Sequence, residues 1–178
     1  MRTAARANVV GVSAKGRERR RTDPAELLRS PLFSRNSQNA LRVMERLAAA
    51  SLRRPSSGRS LQGIAEETGL VLPTLTQLVS FLRLAGLVSQ RGRSGNLRLT
   101  RDASGISVLD VIRAIDGTRL WRRCLLGLAE CSDTAPCPVH VAWKVARTQL
   151  ERHLGNESVA NLARAVSRRR RSRRRGRS

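Results

Sequence analysis

The sequence predicts a mostly α-helical protein with a small β-wing: a winged helix-turn-helix domain followed by a long C-terminal dimerisation helix. Three observations support this fold class. Segments with helical spacing of apolar residues come before two short strand-like segments, glycine turns separate the helices, and one more amphipathic segment lies beyond the strands. A chain of 178 residues is long enough for one core of ordinary size with tails.

The helix-turn-helix part is predicted from three consecutive segments. Residues 38–52 carry apolar side chains at three- and four-residue steps, which indicates a first helix. Ser60 can cap a second, short helix that ends at Gly69. Pro73 suits the first turn of a third helix, which ends at Gly86. Helix, glycine-containing turn and helix in this order are typical of a DNA-reading module.

The wing is predicted from residues 87–91 and 96–100, which alternate like strands and are joined by a glycine-rich turn. The polar face of the third helix would enter the major groove, and the wing arginines would lie near the minor groove, where the negative potential is concentrated. The alternative is a solvated helix face with a surface hairpin. The side chains expected to contact DNA are Pro73, Thr74, Thr76, Gln77, Ser80, Arg83, Arg91, Arg93 and Arg98.

Two further helices are predicted after the wing. Ser107 followed by Asp110 forms a capping pattern for a helix that ends at Gly117 and packs on the winged-helix core. Residues 139–154 then predict a long amphipathic helix outside the DNA module. Because little core remains for it to cover, we expect it to pair with its twin in a homodimer, which suits a palindromic operator in double-stranded DNA.

All three cysteines and one of the two histidines lie within seventeen consecutive residues, as Cys124, Cys131, Cys137 and His140. Thiolates and an imidazole this close together are a ligand set for a transition metal or an iron–sulfur cluster. Three unrelated buried thiols and a structural zinc site are the alternatives, although the short Cys-x2-4-Cys spacing of zinc sites is missing. The N-terminus has no pattern of a secretory signal and no apolar run is long enough to span a membrane, so we expect a cytoplasmic protein.

The net charge of +22 favours a polyanionic partner, most plausibly nucleic acid. Residues 168–177 hold eight arginines, and residues 31–166 still hold 19 basic against 10 acidic side chains. The predicted organisation is a disordered basic extension (1–31), the winged helix (32–103), the cluster-binding loop with dimerisation helices (104–166) and a disordered Arg-rich tail (167–178).

Four segments resemble the iron–sulfur winged-helix transcriptional regulators of the Rrf-two superfamily, especially the IscR type. They are Ala-Glu-Glu-Thr-Gly-Leu at 65–70, Leu-Arg-Leu-Ala-Gly-Leu-Val at 82–88, Ile-Ser-Val-Leu-Asp-Val-Ile at 106–112 and Cys-Pro-Val-His-Val-Ala-Trp at 137–143. The resemblance spans about residues 32–166. It implies a homodimer whose three cysteines and one further residue bind a cluster that alters operator choice. In IscR-type members the cluster is [2Fe–2S], and His140 occupies the position of the fourth ligand; [4Fe–4S] is the alternative.

We therefore expect a homodimeric DNA-binding regulator that senses iron–sulfur or redox status through a [2Fe–2S] site with three cysteine ligands and one histidine ligand. A nitric-oxide-sensing repressor of the same family is one alternative, and an architectural nucleic-acid-binding protein acting through its arginine tails is another. No nucleophile, base and orienting acid occur together in the sequence, so we do not expect an enzyme.

Overall fold

The computed structural model describes residues 33–54, 57–91, 95–128 and 131–176. The predicted extension 1–31 and the wing-tip residue Arg93 lie outside these ranges. Within them the protein is mostly helical with one small antiparallel sheet, which confirms the predicted fold class. The elements are α1 (Arg35–Arg53), α2 (Leu61–Thr68), α3 (Leu72–Leu84), β1 (Val88–Arg91), β2 (Asn96–Leu99), α4 (Val108–Asp116), α5 (Arg119–Arg122), α6 (His140–Asn156) and α7 (Val159–Arg175).

The helix-turn-helix forms where the local signals predict it. The Ser60 hydroxyl accepts a hydrogen bond from the Gly63 amide at 3.0 Å, so α2 begins with a side-chain cap. It ends at Gly69, whose φ of 69° is left-handed, a conformation that a residue with a Cβ rarely adopts. Pro73 then lies in the first turn of α3, where backbone amides have no partner within the helix, so its missing N–H costs no hydrogen bond.

The wing is a two-stranded antiparallel hairpin over the predicted segments, with Val88 opposite Leu99 and Arg91 opposite Asn96. Leu97 is fully buried, and its backbone also forms a bridge to Arg59, which ties the hairpin to the segment before α2. Gly58 lies against β2 so closely that an added Cβ would come within 2.7 Å of the Asn96 Cβ. The hairpin is therefore held against the domain by packing and by backbone hydrogen bonds.

α4 carries the predicted capping box. The Asp110 amide donates to the Ser107 hydroxyl, and the Asp110 carboxylate accepts from the Ser107 amide, both at 3.0 Å. At its other end, the Asp116 carboxylate accepts hydrogen bonds from the amide and hydroxyl of Ser34, the cap residue of α1. The capping box closes the start of α4, the contact with Ser34 joins its end to α1, and its apolar face packs against α1 and α3.

α7 is the element that the sequence analysis missed, and it corrects the prediction of a disordered tail over 167–178. The helix continues to Arg175, because its first half is docked on α1 and arginine is a good helix former. The docked face consists of small apolar side chains, all nearly inaccessible to solvent: Val159, Ala160, Ala163 and Val166. In contrast, α6 buries only His140, which agrees with the expectation that this helix lies outside the core.

The hydrophobic core is continuous through the domain and centres on α1, whose Val43 and Met44 are fully buried. Side chains of α2, α3, β2, α4 and α7 surround them. No helix among the residues that the structure describes is long and apolar enough to cross a membrane.

A carboxylate is buried beside this core. Glu45, on α1, is only 3% exposed, with Arg46 Nε at 3.4 Å and Arg170 Nη2 of α7 at 4.0 Å from its carboxylate. Burial raises the pKa of Glu45, and the neighbouring positive charges of Arg46, Arg170 and Arg53 lower it by less. Desolvation of the carboxylate thus outweighs its ion pairs.

This balance predicts a pH-dependent effect of Glu45→Gln. Because the pKa of the folded state lies above that of the unfolded state, ionised Glu45 opposes folding at neutral pH, and this cost disappears as the pH falls through the raised pKa. The amide should raise the free energy of unfolding at pH 7 by on the order of 1 kcal/mol, and the gain should vanish in acid. Urea denaturation across this pH range measures it. Exposed Glu66→Gln is the control, and a less stable Glu45→Gln protein at pH 7 would contradict the argument.

Candidate functional sites

The recognition-helix candidates lie on one side of α3, as predicted. The other side of the helix faces the core with Leu75, Leu78, Val79 and Leu82. The outward side is formed by residues at three- and four-residue steps, and the Ser80 hydroxyl donates to the Thr76 carbonyl at 3.0 Å. Thr74 is half-buried and the remaining predicted side chains of this helix are exposed: Pro73, Thr76, Gln77, Ser80 and Arg83. This surface combines hydroxyl, amide and guanidinium groups, which are the groups that read base edges and phosphates.

The three wing arginines are described to different extents. Arg91 is the last residue of β1, and Arg93 lies outside the described residues. Arg98 is half-buried on β2 opposite Ser89, and a Cβ at Gly58 would lie 3.0 Å from its Nε. That Nε is buried without a hydrogen-bond partner among the residues described. The side chain of Arg98 therefore packs against Gly58, in the segment before α2.

The cysteine loop connects α5 to α6 and arranges the four predicted ligands as two close pairs. The Cys124 and Cys137 sulfur atoms are 3.7 Å apart, and the Cys131 sulfur lies 3.2 Å from Nδ1 of His140. All three cysteines are free thiols. In the part of the chain that the structure describes, no three His, Cys, Asp or Glu side chains converge as a site for a single metal ion.

Backbone hydrogen bonds shape this loop. The Cys131 amide donates to the Arg122 carbonyl, which draws the middle of the loop back towards α5, and the His140 amide donates to the Cys137 carbonyl. The indole of Trp143 on α6 donates to the Arg123 carbonyl at 2.9 Å. This hydrogen bond from Trp143 links α6 to the start of the loop, next to Cys124.

Cys124 lies in a surrounding that favours its thiolate. Amide hydrogen bonds, above all from Leu126 and also from Leu128 and Gly127, lower the pKa of the Cys124 thiol, while burial opposes them. The Cys137 thiol contributes in the same direction. Because the thiolate is the form of cysteine that binds metal, these amides prepare Cys124 as a ligand.

Asp133 orients His140, and sequence reasoning missed it because its partners are seven and eleven residues away in the chain. The Asp133 carboxylate lies 2.7 Å from Nε2 of His140 and accepts two hydrogen bonds of 2.9 Å from Nζ of Lys144. Hydrogen bonds from Lys144 and then His140 lower the pKa of Asp133, so the carboxylate is ionised at neutral pH and can accept a hydrogen bond from Nε2–H of His140. This leaves Nδ1 free to bind a metal, as in carboxylate–histidine–metal arrangements.

Exposed apolar side chains border the cysteine loop. Leu125, Leu126 and Leu128 follow the first cysteine, and each is more than half exposed. Val141 and Val145 lie one turn apart on α6, with 74% and 53% of their surface accessible. Exposed aliphatic side chains are therefore present both in the cysteine loop and on α6.

Comparisons with known proteins agree with this architecture. The model of the Rrf2 family, described as iron-dependent transcriptional regulators, matches residues 33–165. The transcriptional regulator IscR of Photobacterium profundum is 38% identical over 105 residues, which cover 58% of this chain and 60% of that protein. IscR of Escherichia coli O1:K1 is 38% identical over 103 residues, covering 57% and 63%. The match thus spans about three fifths of the length of these relatives.

Solved structures of the same type are similar in fold. The oxidised form of Staphylococcus aureus CymR has a TM-score of 0.59 at 30% identity and covers 74% of this chain and 94% of its own. T. potens IscR has a TM-score of 0.57 at 27% identity and covers 75% and 86%. The relatives are transcriptional regulators, which confirms the prediction that the chain is not an enzyme. Because the family model covers most of the sequence, the chain belongs to the Rrf2 family of transcriptional regulators.

Proposed function

We propose that this protein is a homodimeric, DNA-binding regulator that senses iron–sulfur or redox status through a [2Fe–2S] cluster. Its ligands are Cys124, Cys131, Cys137 and His140. The observation that carries the proposal is the arrangement of these side chains as two pairs in a loop next to a winged helix. DNA as the partner and free thiols are consistent with a cytoplasmic protein.

The pairing supports a two-iron cluster over its rivals. A [2Fe–2S] cluster has two irons, and each takes two protein ligands, whereas each iron of a [4Fe–4S] cluster takes one. A tetrahedral metal with metal–sulfur bonds of about 2.3 Å separates its sulfur ligands by about 3.8 Å, close to the 3.7 Å between Cys124 and Cys137. A single structural zinc would need all four ligands around one point. When bound, the cluster supplies one-electron redox chemistry.

A histidine ligand suits a sensor. The buried His140 offers Nδ1 to the loop while Asp133 holds Nε2, so the imidazole is held in one orientation. A neutral imidazole in place of a thiolate lowers the negative charge of the cluster and raises its potential. We therefore assign Asp133 as the residue that positions His140.

The DNA contacts are assigned to α3 and the wing. Thr74, Thr76 and Gln77 lie in the first half of α3 and select sequence, supported by their position on its outward side. The remaining predicted contacts, which are Pro73, Ser80, Arg83, Arg91, Arg93 and Arg98, position the module on the duplex. Signal transfer would run through α4, because it packs against α3 and α6, and Arg113 Nη2 donates to the Glu151 carboxylate on α6 at 2.5 Å.

A second copy of the chain is the proposed partner for the exposed apolar surface beside the loop. α6 packs against α4 on one side, and Val141 and Val145 remain exposed on it as an apolar stripe. Pairing through α6 would bury these side chains and place two recognition helices for the half-sites of a palindromic operator.

Cluster binding predicts a visible signature. Protein purified without oxygen should be brown and contain iron and sulfide in equal amounts, and His140→Ala should lose or alter the absorption spectrum. The other histidine, His153, is exposed on the same helix, so His153→Ala is the matched control and should keep the spectrum. Colourless protein that retains stoichiometric zinc would contradict the proposal.

The positioning role of Asp133 predicts a graded effect. Asp133→Ala frees the imidazole and should weaken cluster retention by about 10–100-fold, measured as the rate at which a chelator bleaches the anaerobic protein. Asp133→Asn keeps an oxygen that accepts the Nε2 hydrogen bond and should lose less. If Asp133→Ala holds the cluster as tightly as the parent protein, the assignment is wrong.

The recognition assignment predicts a local change of specificity. Gln77→Ala should cost about 1–3 kcal/mol at one base pair of the operator and relax preference there, which competition binding with operator variants measures. Gln62→Ala removes an exposed helical glutamine from α2 and should change no base preference. An unaltered operator preference in Gln77→Ala would contradict the assignment of α3 to the major groove. If the parent protein binds random DNA as tightly as operator DNA, the architectural alternative is favoured.

A further inference from the structure

We propose that α7 carries a second DNA-binding surface, separate from the recognition helix and the wing. Four exposed arginines follow one another at steps of four, three and four residues, so they form a stripe along one face of the helix. We call it the arginine stripe: Arg164, Arg168, Arg171 and Arg175. Its partner is the phosphate backbone of duplex DNA, and binding needs neither the cluster nor a particular base sequence.

The docking of α7 fixes the direction in which the stripe faces. The apolar side of α7 packs against α1 through residues such as Val159 and Val166. Arg170 continues this inner side and lies 4.0 Å from the buried carboxylate of Glu45. This contact between the partly exposed Arg170 and the buried Glu45 helps to set how α7 is rotated against α1. The arginine stripe is therefore held on the outside of the domain.

The length of the stripe matches a segment of DNA backbone. From Arg164 to Arg175 an α-helix rises by roughly 16 Å. Over that distance one strand of duplex DNA presents about five phosphates. The planar guanidinium group donates several hydrogen bonds in a fixed geometry, which suits phosphate oxygens.

Repulsion between neighbouring arginines favours the binding of an anion by the stripe. The sequence of α7 contains no acidic residue, and like charges four residues apart destabilise a helix. Phosphates between the arginines would remove this repulsion. Residues 167–175 are only serine and arginine, so this half of α7 has no apolar side chain to insert into a bilayer, which favours DNA over a lipid surface.

Two double variants of the 178-residue chain with the same net charge test the proposal. Arg168→Gln with Arg171→Gln removes two members of the arginine stripe. Arg169→Gln with Arg173→Gln removes two exposed arginines that point roughly to the opposite side of the same helix. Fluorescence anisotropy with a random-sequence duplex, between about 50 and 300 mM salt, gives the slope of log affinity against log salt.

In the stripe variant the magnitude of this negative slope should decrease by about 1.8, which is about 0.9 for each of two lost phosphate contacts. In the control variant the decrease should be less than half as large. The ratio of operator to random-DNA affinity should stay constant in both, because phosphate contacts carry no sequence information. Equal losses in the two variants would show that the tail acts only as diffuse charge, and would overturn the proposal. So would unchanged slopes, or a loss of binding to anionic phosphatidylserine vesicles without a change of the slope for DNA.

Discussion

The structure depends on a pair of backbone hydrogen bonds between the start of α4 and the junction of α6 and α7. The Val108 amide donates to the Glu157 carbonyl at 2.7 Å, and the Val159 amide donates to the Ile106 carbonyl at 2.9 Å. These two bonds join segments about fifty residues apart in the chain. These bonds hold the end of α6 and the start of α7 beside the start of α4. The cysteine loop lies between α4 and α6 in the chain, so both of its flanks are connected to the DNA-reading module.

Local rules were sufficient for the winged helix. The cap at Ser60, the left-handed turn at Gly69 and the capping box at Ser107 each satisfy backbone groups within a few residues, so the sequence pattern and the structure agree on them. The cysteines and His140 were also predictable as a candidate site, because they lie within seventeen consecutive residues. Their arrangement as two close pairs comes from the fold of the loop.

Other features could not be read from local patterns. The arginine run at the end of the chain has the composition of a disordered tail, and its helix forms because Val159, Ala163 and Val166 find a docking site on α1, a tertiary effect. Asp133 looks like an ordinary loop residue until the fold places it against His140. The same holds for Glu45, a polar residue in an amphipathic pattern that becomes buried when α7 covers α1.

The proposed function joins a cluster loop to a DNA reader through α4, and its central claim is that the two ligand pairs hold two irons. The Mössbauer spectrum of anaerobic, iron-57-enriched protein tests this most directly. The account predicts two doublets of equal area, because Cys124 and Cys137 would hold one iron and Cys131 and His140 would hold the other. A spectrum typical of a four-iron cluster, or protein without cluster iron, would contradict it.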